Sequence, residues 1–211
     1  MKQTKKLIFI EAAAIIGLVI TIAISGIETF AEDYHDITEN VFRLHILANS
    51  DSEADQALKL KVRDEILSET SFIFENNKDF DTAIAAAREY LPEIEAVASR
   101  VIRENGYDYA VKASIEAVDF DTRVYGEITM PAGTYTALRV EIGEAAGRNW
   151  WCVMFPPLCL PAVAADDEAI QVFNGVLTPA EQDILKNPRK YEAKFYVVEI
   201  FQRIKAYFTK G

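Results

Sequence analysis

The sequence predicts an α+β fold: a mostly antiparallel sheet, two N-terminal helices packed on one of its faces, and a C-terminal helix. Three observations lead there. Apolar residues recur at steps of three and four from about Ser52 to Glu104. From Tyr109 to Phe155 the period changes to two, with glycine and proline punctuating the runs. Helices followed by hairpin-joined strands place the helices together on one side of an antiparallel sheet.

Residues 1–31 differ in character from the rest. Lys2, Lys5 and Lys6 precede a stretch, Leu7 to Ile24, that is apolar apart from Glu11 and Thr21. As a helix it spans roughly 27 Å, just short of a bilayer core of about 30 Å. The clean part, Ala12–Ile24, has the length of a signal-peptide core. Small residues offer cleavage points after Ser25 and after Ala31. The basic flank holds the N-terminus in the cytoplasm and sends the body outward. Residues 1–31 are therefore read as a signal peptide or a retained membrane anchor, and 32–211 as a single exported α/β domain. The membrane is expected to meet the chain only through the N-terminal segment.

Val41–Ala48 (VFRLHILA) reads as a strand, with Arg43 and His45 on alternate positions and His45 facing a polar surface. Asn49-Ser50-Asp51-Ser52 is a turn and helix-start cluster; Ser50 with Glu53, or Ser52 with Asp55, suits a capping box. A helix over about Ser52–Ser68 carries Leu58, Val62 and Ile66 on one face. The other face, with Lys59 and Arg63, reads as solvated, and Asp55 is placed to pair with Lys59. The next helix, about Asp79–Glu104, should kink or divide at Pro92 and stop at Asn105-Gly106.

Strands follow over Tyr109–Val118, Val124–Met130, Thr136–Ile142 and Asn149–Phe155, with a turn at Pro131-Ala132-Gly133. In the last of these, alternation puts Trp151 with Val153 and Phe155, a trio expected to pack against the helices. Trp150 then falls on the opposite face, where it could anchor a partner. Thr178-Pro179-Ala180-Glu181 is a helix start. Tyr191–Phe208 reads as either strand or helix.

Composition narrows the function. The chain has 211 residues, half of them hydrophobic, and a net charge of −11. That is a globular balance, and an acidic surface repels phosphate backbones, so nucleic acid is not an expected partner. Three lysines and two glutamates in residues 1–31 leave −12 on residues 32–211. The two cysteines, Cys152 and Cys159, bracket a Pro-Pro bend and could form a disulfide in an oxidising compartment, or stay as buried thiols. Joining His35 and His45 to them as a zinc site has no support in the spacing. No metal or cofactor is expected. The sequence contains no Gly-rich phosphate loop, GxSxG, HExxH or CxxC. Asn49 and Asp51 sit where a strand meets a helix, a place that suits ligand binding or simple capping.

Two blocks carry a family resemblance. FRLHILANSDSEADQALKLKVRDEIL (Phe42–Leu67) is similar to the N-terminal signature of the stage II sporulation protein R family. RNWWCVMFPPLC (Arg148–Cys159), preceded by MPAGTYTALRVEIGEAAG, resembles its second signature. The resemblance implies a signal rather than an enzyme. Such a protein crosses the forespore membrane into the space between the two cells of a sporulating bacterium. There it activates a membrane-embedded aspartic protease, which processes the precursor of the mother-cell sigma factor, sigma E. Candidate contact residues within or beside the two blocks are Arg43, His45, Asn49, Asp51, Lys59, Arg63 and Trp150. Two other classes stay open: an envelope hydrolase using Asp51, Asp64 and His45, which requires those groups to converge in a pocket, and a structural envelope protein.

Overall fold

The computed structural model describes residues 2–77, 79–158 and 169–209. Helix α1 (Lys2–Glu39) leads into strand β1 (Phe42–Leu47). Helices α2 (Glu53–Asn76), α3 (Phe80–Glu89) and α4 (Leu91–Glu104) follow. Then come β2 (Val111–Phe120), β3 (Arg123–Tyr125), β4 (Ile128–Met130), β5 (Gly133–Ile142) and β6 (Asn149–Phe155). A 3-10 turn over Ala169–Phe173, α5 (Pro179–Lys186) and α6 (Pro188–Thr209) complete the α+β order. Packing divides the chain into two units, Met1–Asp36 with Arg189–Gly211 and Ile37–Pro188.

In the unit Ile37–Pro188 four strands form a sheet in the order β2-β5-β1-β6. Two of its pairings are antiparallel, and β1 runs parallel to β5. β2 and β5 are the arms of one long hairpin, with Val111 opposite Ile142 and Phe120 opposite Gly133. Residues 124–130, expected as one strand, instead form a small hairpin, β3–β4, inserted in the connection between those arms. Gly126 is the reason. It stands first of two loop residues with φ +58°, the conformation a tight hairpin needs there and glycine adopts without steric cost. Pro131-Ala132-Gly133 accordingly links two sheets and does not close a hairpin between neighbouring strands.

β1 is central and buried along its whole length. Phe42, Leu44 and Ile46 face the helices, together with Ile115 of β2, Leu138 and Val140 of β5, and Cys152 and Met154 of β6. Leu58, Val62 and Ile66 of α2 pack in the same core, as does the apolar stripe of α4. The Ser52 hydroxyl caps α2 by accepting the Asp55 N–H at 3.1 Å. This helix runs on to Asn76 because Thr70, Ile73 and Phe74 continue its buried stripe. Burial there outweighs the weak propensity of a Ser- and Thr-rich run. The second predicted helix is divided at Tyr90, with Pro92 in the first turn of α4, where its missing N–H breaks no helical bond. Thr178 and Glu181 close a reciprocal capping box on α5, which packs against β4.

In the other unit, α1 runs unbroken through both candidate cleavage points. The expected boundary after residue 31 coincides with no element end. The ambiguous C-terminal segment is helical throughout as α6. Phe30 of α1 stacks on Tyr191 with ring centroids 5.6 Å apart and meets Phe195 edge-on at 5.0 Å. Among the described residues no helix is long and apolar enough to cross a membrane.

The core assignment predicts a contrast. Ile66→Ala should lower the unfolding free energy by about 2–5 kcal/mol, whereas Val124→Ala, on an exposed position of β3, should change it by less than about 0.5 kcal/mol. Urea titrations check both; equal losses would contradict the packing described.

Candidate functional site

The two ends of the β1–α2 and β5–β6 connections meet at one corner of the sheet. Asn49 Oδ1 accepts the Glu144 N–H at 3.0 Å, and the Asn49 and Ala48 carbonyls accept the N–H groups of Ala146 and Gly147. Asp51 Oδ1 accepts the Arg148 N–H at 2.6 Å and lies 3.6 Å from its Nε. Inside the corner, Asn49 Nδ2 and Ser50 Oγ both donate to Asp55 Oδ2, at 2.9 and 2.6 Å. Those two bonds, Ser50 first, hold the Asp55 carboxyl below the usual carboxylate range.

Asp55 is thus spent on the turn and does not pair with Lys59, contrary to the sequence expectation. Nor is Lys59 on a solvated face. It is buried, and its Nζ donates to Gln56 Oε1 at 2.7 Å and to the Arg148 carbonyl at 2.8 Å. Desolvation, then the neighbouring Arg148 charge, lowers its pKa. The loop approaches so closely that a Cβ on Gly147 would stand 2.2 Å from the Ser50 carbonyl oxygen. Gly143, at φ +58°, faces the Asn49 side chain in the same way. Asn49, Asp51 and Lys59 therefore direct their polar atoms into the chain's own corner.

Beside that corner Arg63 lies over Trp150, its Cζ 4.2 Å from the ring. The same guanidinium pairs with Asp64 at 2.6 Å. Both Arg63 and Trp150 are partly exposed. This reverses the expected roles of the two tryptophans. β6 pairs with β1 so that Trp150 lies opposite Ile46 and Trp151 opposite His45. Residues paired across a sheet share a face, so Trp150 packs on the helix side and Trp151 goes to the far side.

On the far side the sheet builds an aromatic box around a cation. Arg43 is 0% exposed. Its Cζ lies 3.9 Å from the Phe120 ring centre and 4.8 Å from that of Tyr135. Nη2 donates to the Tyr125 hydroxyl at 2.8 Å, which donates on to the Trp151 carbonyl at 3.3 Å. Nε and Nη1 meet no hydrogen-bond partner among the described residues. Ring faces, not a carboxylate, stabilise this buried charge.

His45 is 5% exposed, not on a polar surface as expected. It stacks on Trp151 at 3.8 Å, and neither ring nitrogen has a hydrogen-bond partner of ordinary geometry among the described residues. Burial, and secondarily the charge of Arg139, lowers its pKa to about 4 against the opposing influence of Asn149 and Glu116.

These placements do not assemble a hydrolase from His45, Asp51 and Asp64. His45 is enclosed in the box, while the two carboxylates are exposed and held by Arg148 and Arg63. The small cavity between α2 and β6, lined by Leu67, Thr70, Ser71, Phe74, Val153, Met154 and Pro157, contains none of the three. Cys152 is buried in the helix-side core; Cys159 lies outside the described residues. The sequence reading missed the box residues Phe120, Tyr125 and Tyr135. The available signal was β1 itself, since a run apolar on nearly every position marks a strand covered on both faces.

Comparison with known proteins places the corner in a family context. The family model described as Stage II sporulation protein R (spore_II_R) matches residues 38–165. A curated relative, Stage II sporulation protein R of Bacillus subtilis (strain 168), is 38% identical over 123 residues, 58% of this chain. The aligned stretch spans 55% of that relative's length. No solved structure matches.

Two outcomes follow from the geometry. Gly147→Ala should destabilise by roughly 1–3 kcal/mol, since backbone must move to admit the methyl group, and thermal unfolding measures this; an unchanged melting temperature would contradict the close approach. His45 has a folded pKa below its unfolded value of 6.5, so the unfolded chain takes up the proton first on acidification. Its contribution to stability is therefore complete above about pH 6.5 and declines as pH falls towards about 4. Unfolding measured across that window should show this slope in the wild type and lose it in His45→Phe; parallel curves would refute the assignment.

Proposed function

This chain belongs to the stage II sporulation protein R family, and we propose that it is an exported signal that activates a membrane-embedded aspartic protease. That protease then processes the precursor of the mother-cell sigma factor, sigma E. The basic and apolar N-terminal segment directs the chain across the forespore membrane into the space between the two cells.

The observation that carries this reading is the convergence of the two signature-bearing blocks. Phe42–Leu67 and Arg148–Cys159 are remote in sequence, yet Asp51, Gln56 and Lys59 of the first all bond Arg148 of the second. Their junction ends in the partly exposed Arg63–Trp150 stack. A ligand for a membrane receptor needs a rigid, chemically distinct surface, not a poised nucleophile. An arginine on an aromatic ring is the kind of pair enriched at interface centres. Binding there would shift the receptor towards its active state by its differential affinity for that state. Arg43 and His45 then serve the fold beneath the surface, and Arg148, Arg63 and Trp150 form the contact.

The test is complementation in a sporulating host lacking the gene. The wild-type chain should restore processing of the sigma precursor. Arg63→Glu should reduce it by about tenfold, equivalent to about 1.4 kcal/mol of lost contact, with export and melting temperature unchanged. Processing that continues without the gene would overturn the signalling role. Full activity of a folded Arg63→Glu protein would remove the contact surface from the account.

A further inference from the structure

We propose that α6 is a second membrane contact, lying along an anionic lipid surface with one apolar face buried in it. The helix is apolar on two opposite sides. One side carries Tyr191 and Phe195, packed around Phe30 of α1, and the buried Val198. The other carries Tyr196, Val197 and Ile200, which are 67%, 41% and 40% exposed. Positions 196, 197 and 200 are neighbours at helical spacing and form one continuous patch. In the sequence the next step of four is Ile204.

Charge selects the occupant. Between Pro188 and Gly211 the sequence has Arg189, Lys190, Lys194, Arg203, Lys205 and Lys210 against Glu192 and Glu199, a net +4 in a chain of net −11. Residues 37–188 are correspondingly more acidic, and an acidic body is repelled by anionic headgroups. A basic helix with an exposed aromatic and aliphatic stripe offsets that repulsion and suits the boundary between headgroups and acyl chains. Its long basic side chains can bury their stems while their charges stay in water. A second copy of the helix would bring two segments of +4 together, which disfavours pairing through the same face. α6 is too polar to span the bilayer, so it lies on it. The membrane contact thus extends beyond the N-terminal segment, and the proposal is independent of which receptor the protein activates.

The experiment uses the full chain reconstituted in phosphatidylcholine vesicles with or without phosphatidylglycerol. A fluorescent amino acid is placed at Val197 or, as the control, at Glu192 on the flank of the same helix. Quenching by doxyl-labelled lipid is then read. With phosphatidylglycerol, position 197 should be quenched several-fold more than position 192. Arg203→Glu with Lys205→Glu should abolish the difference while leaving vesicle attachment through α1 intact. Equal quenching at the two positions would overturn the proposal. So would shielding of position 197 in detergent accompanied by crosslinking between chains, which would assign the face to a second copy.

Discussion

A single buried guanidinium organises the far side of the sheet. Arg43 sits on a central strand with no ion-pair partner among the described residues, and aromatic rings enclose its charge. Taking such an ion out of water costs several kcal/mol, so its surroundings must be well formed. They come from four elements: Phe120 of β2, Tyr125 of β3, Tyr135 of β5 and, through its carbonyl and its stack on His45, Trp151 of β6. Burying Arg43 thus ties together strands that the helix-side core alone would leave open to water. The inserted β3–β4 hairpin is explained by the same need, since its Tyr125 hydroxyl accepts a hydrogen bond from the guanidinium.

The corner of the sheet shows a second economy. Residues 49–59 and 143–148 are joined by hydrogen bonds dense enough that glycine is required at Gly147. These bonds occupy polar side chains that specify the fold. Asn49, Asp51, Asp55 and Lys59 have internal partners. Arg63 and Trp150 retain exposed surface on the same edge.

Much of the fold was legible in the sequence because local signals agreed. Ser52 and Thr178 capped helices where the pattern placed them, and Pro92 divided a helix as its missing N–H requires. The errors came from three causes. Strand alternation fixes which residues share a face but not which face is inward, and pairing to β1 set Trp150 against the helices. The polarity of Arg43 and His45 suggested an exposed face, yet the covering residues lie some 75 to 110 positions further along the chain, roughly the full span of non-local contacts that a sequence pattern leaves unseen. The hairpin at Gly126 was hidden because three-residue strands are too short to establish a period.

Charge is partitioned along with structure. The acidic body presents an edge where Arg63 lies over Trp150 beside Arg148, each guanidinium facing an aspartate, while the C-terminal segment carries a net positive charge. The central functional claim is that this edge meets the receptor. Hydrogen–deuterium exchange of the full chain, with and without the membrane-embedded protease in lipid, tests it most directly. The account predicts new protection confined to the Lys59–Leu67 stretch of α2 and the Arg148–Trp151 start of β6. Unchanged exchange there, with protection appearing instead on the β3–β4 hairpin, would contradict it.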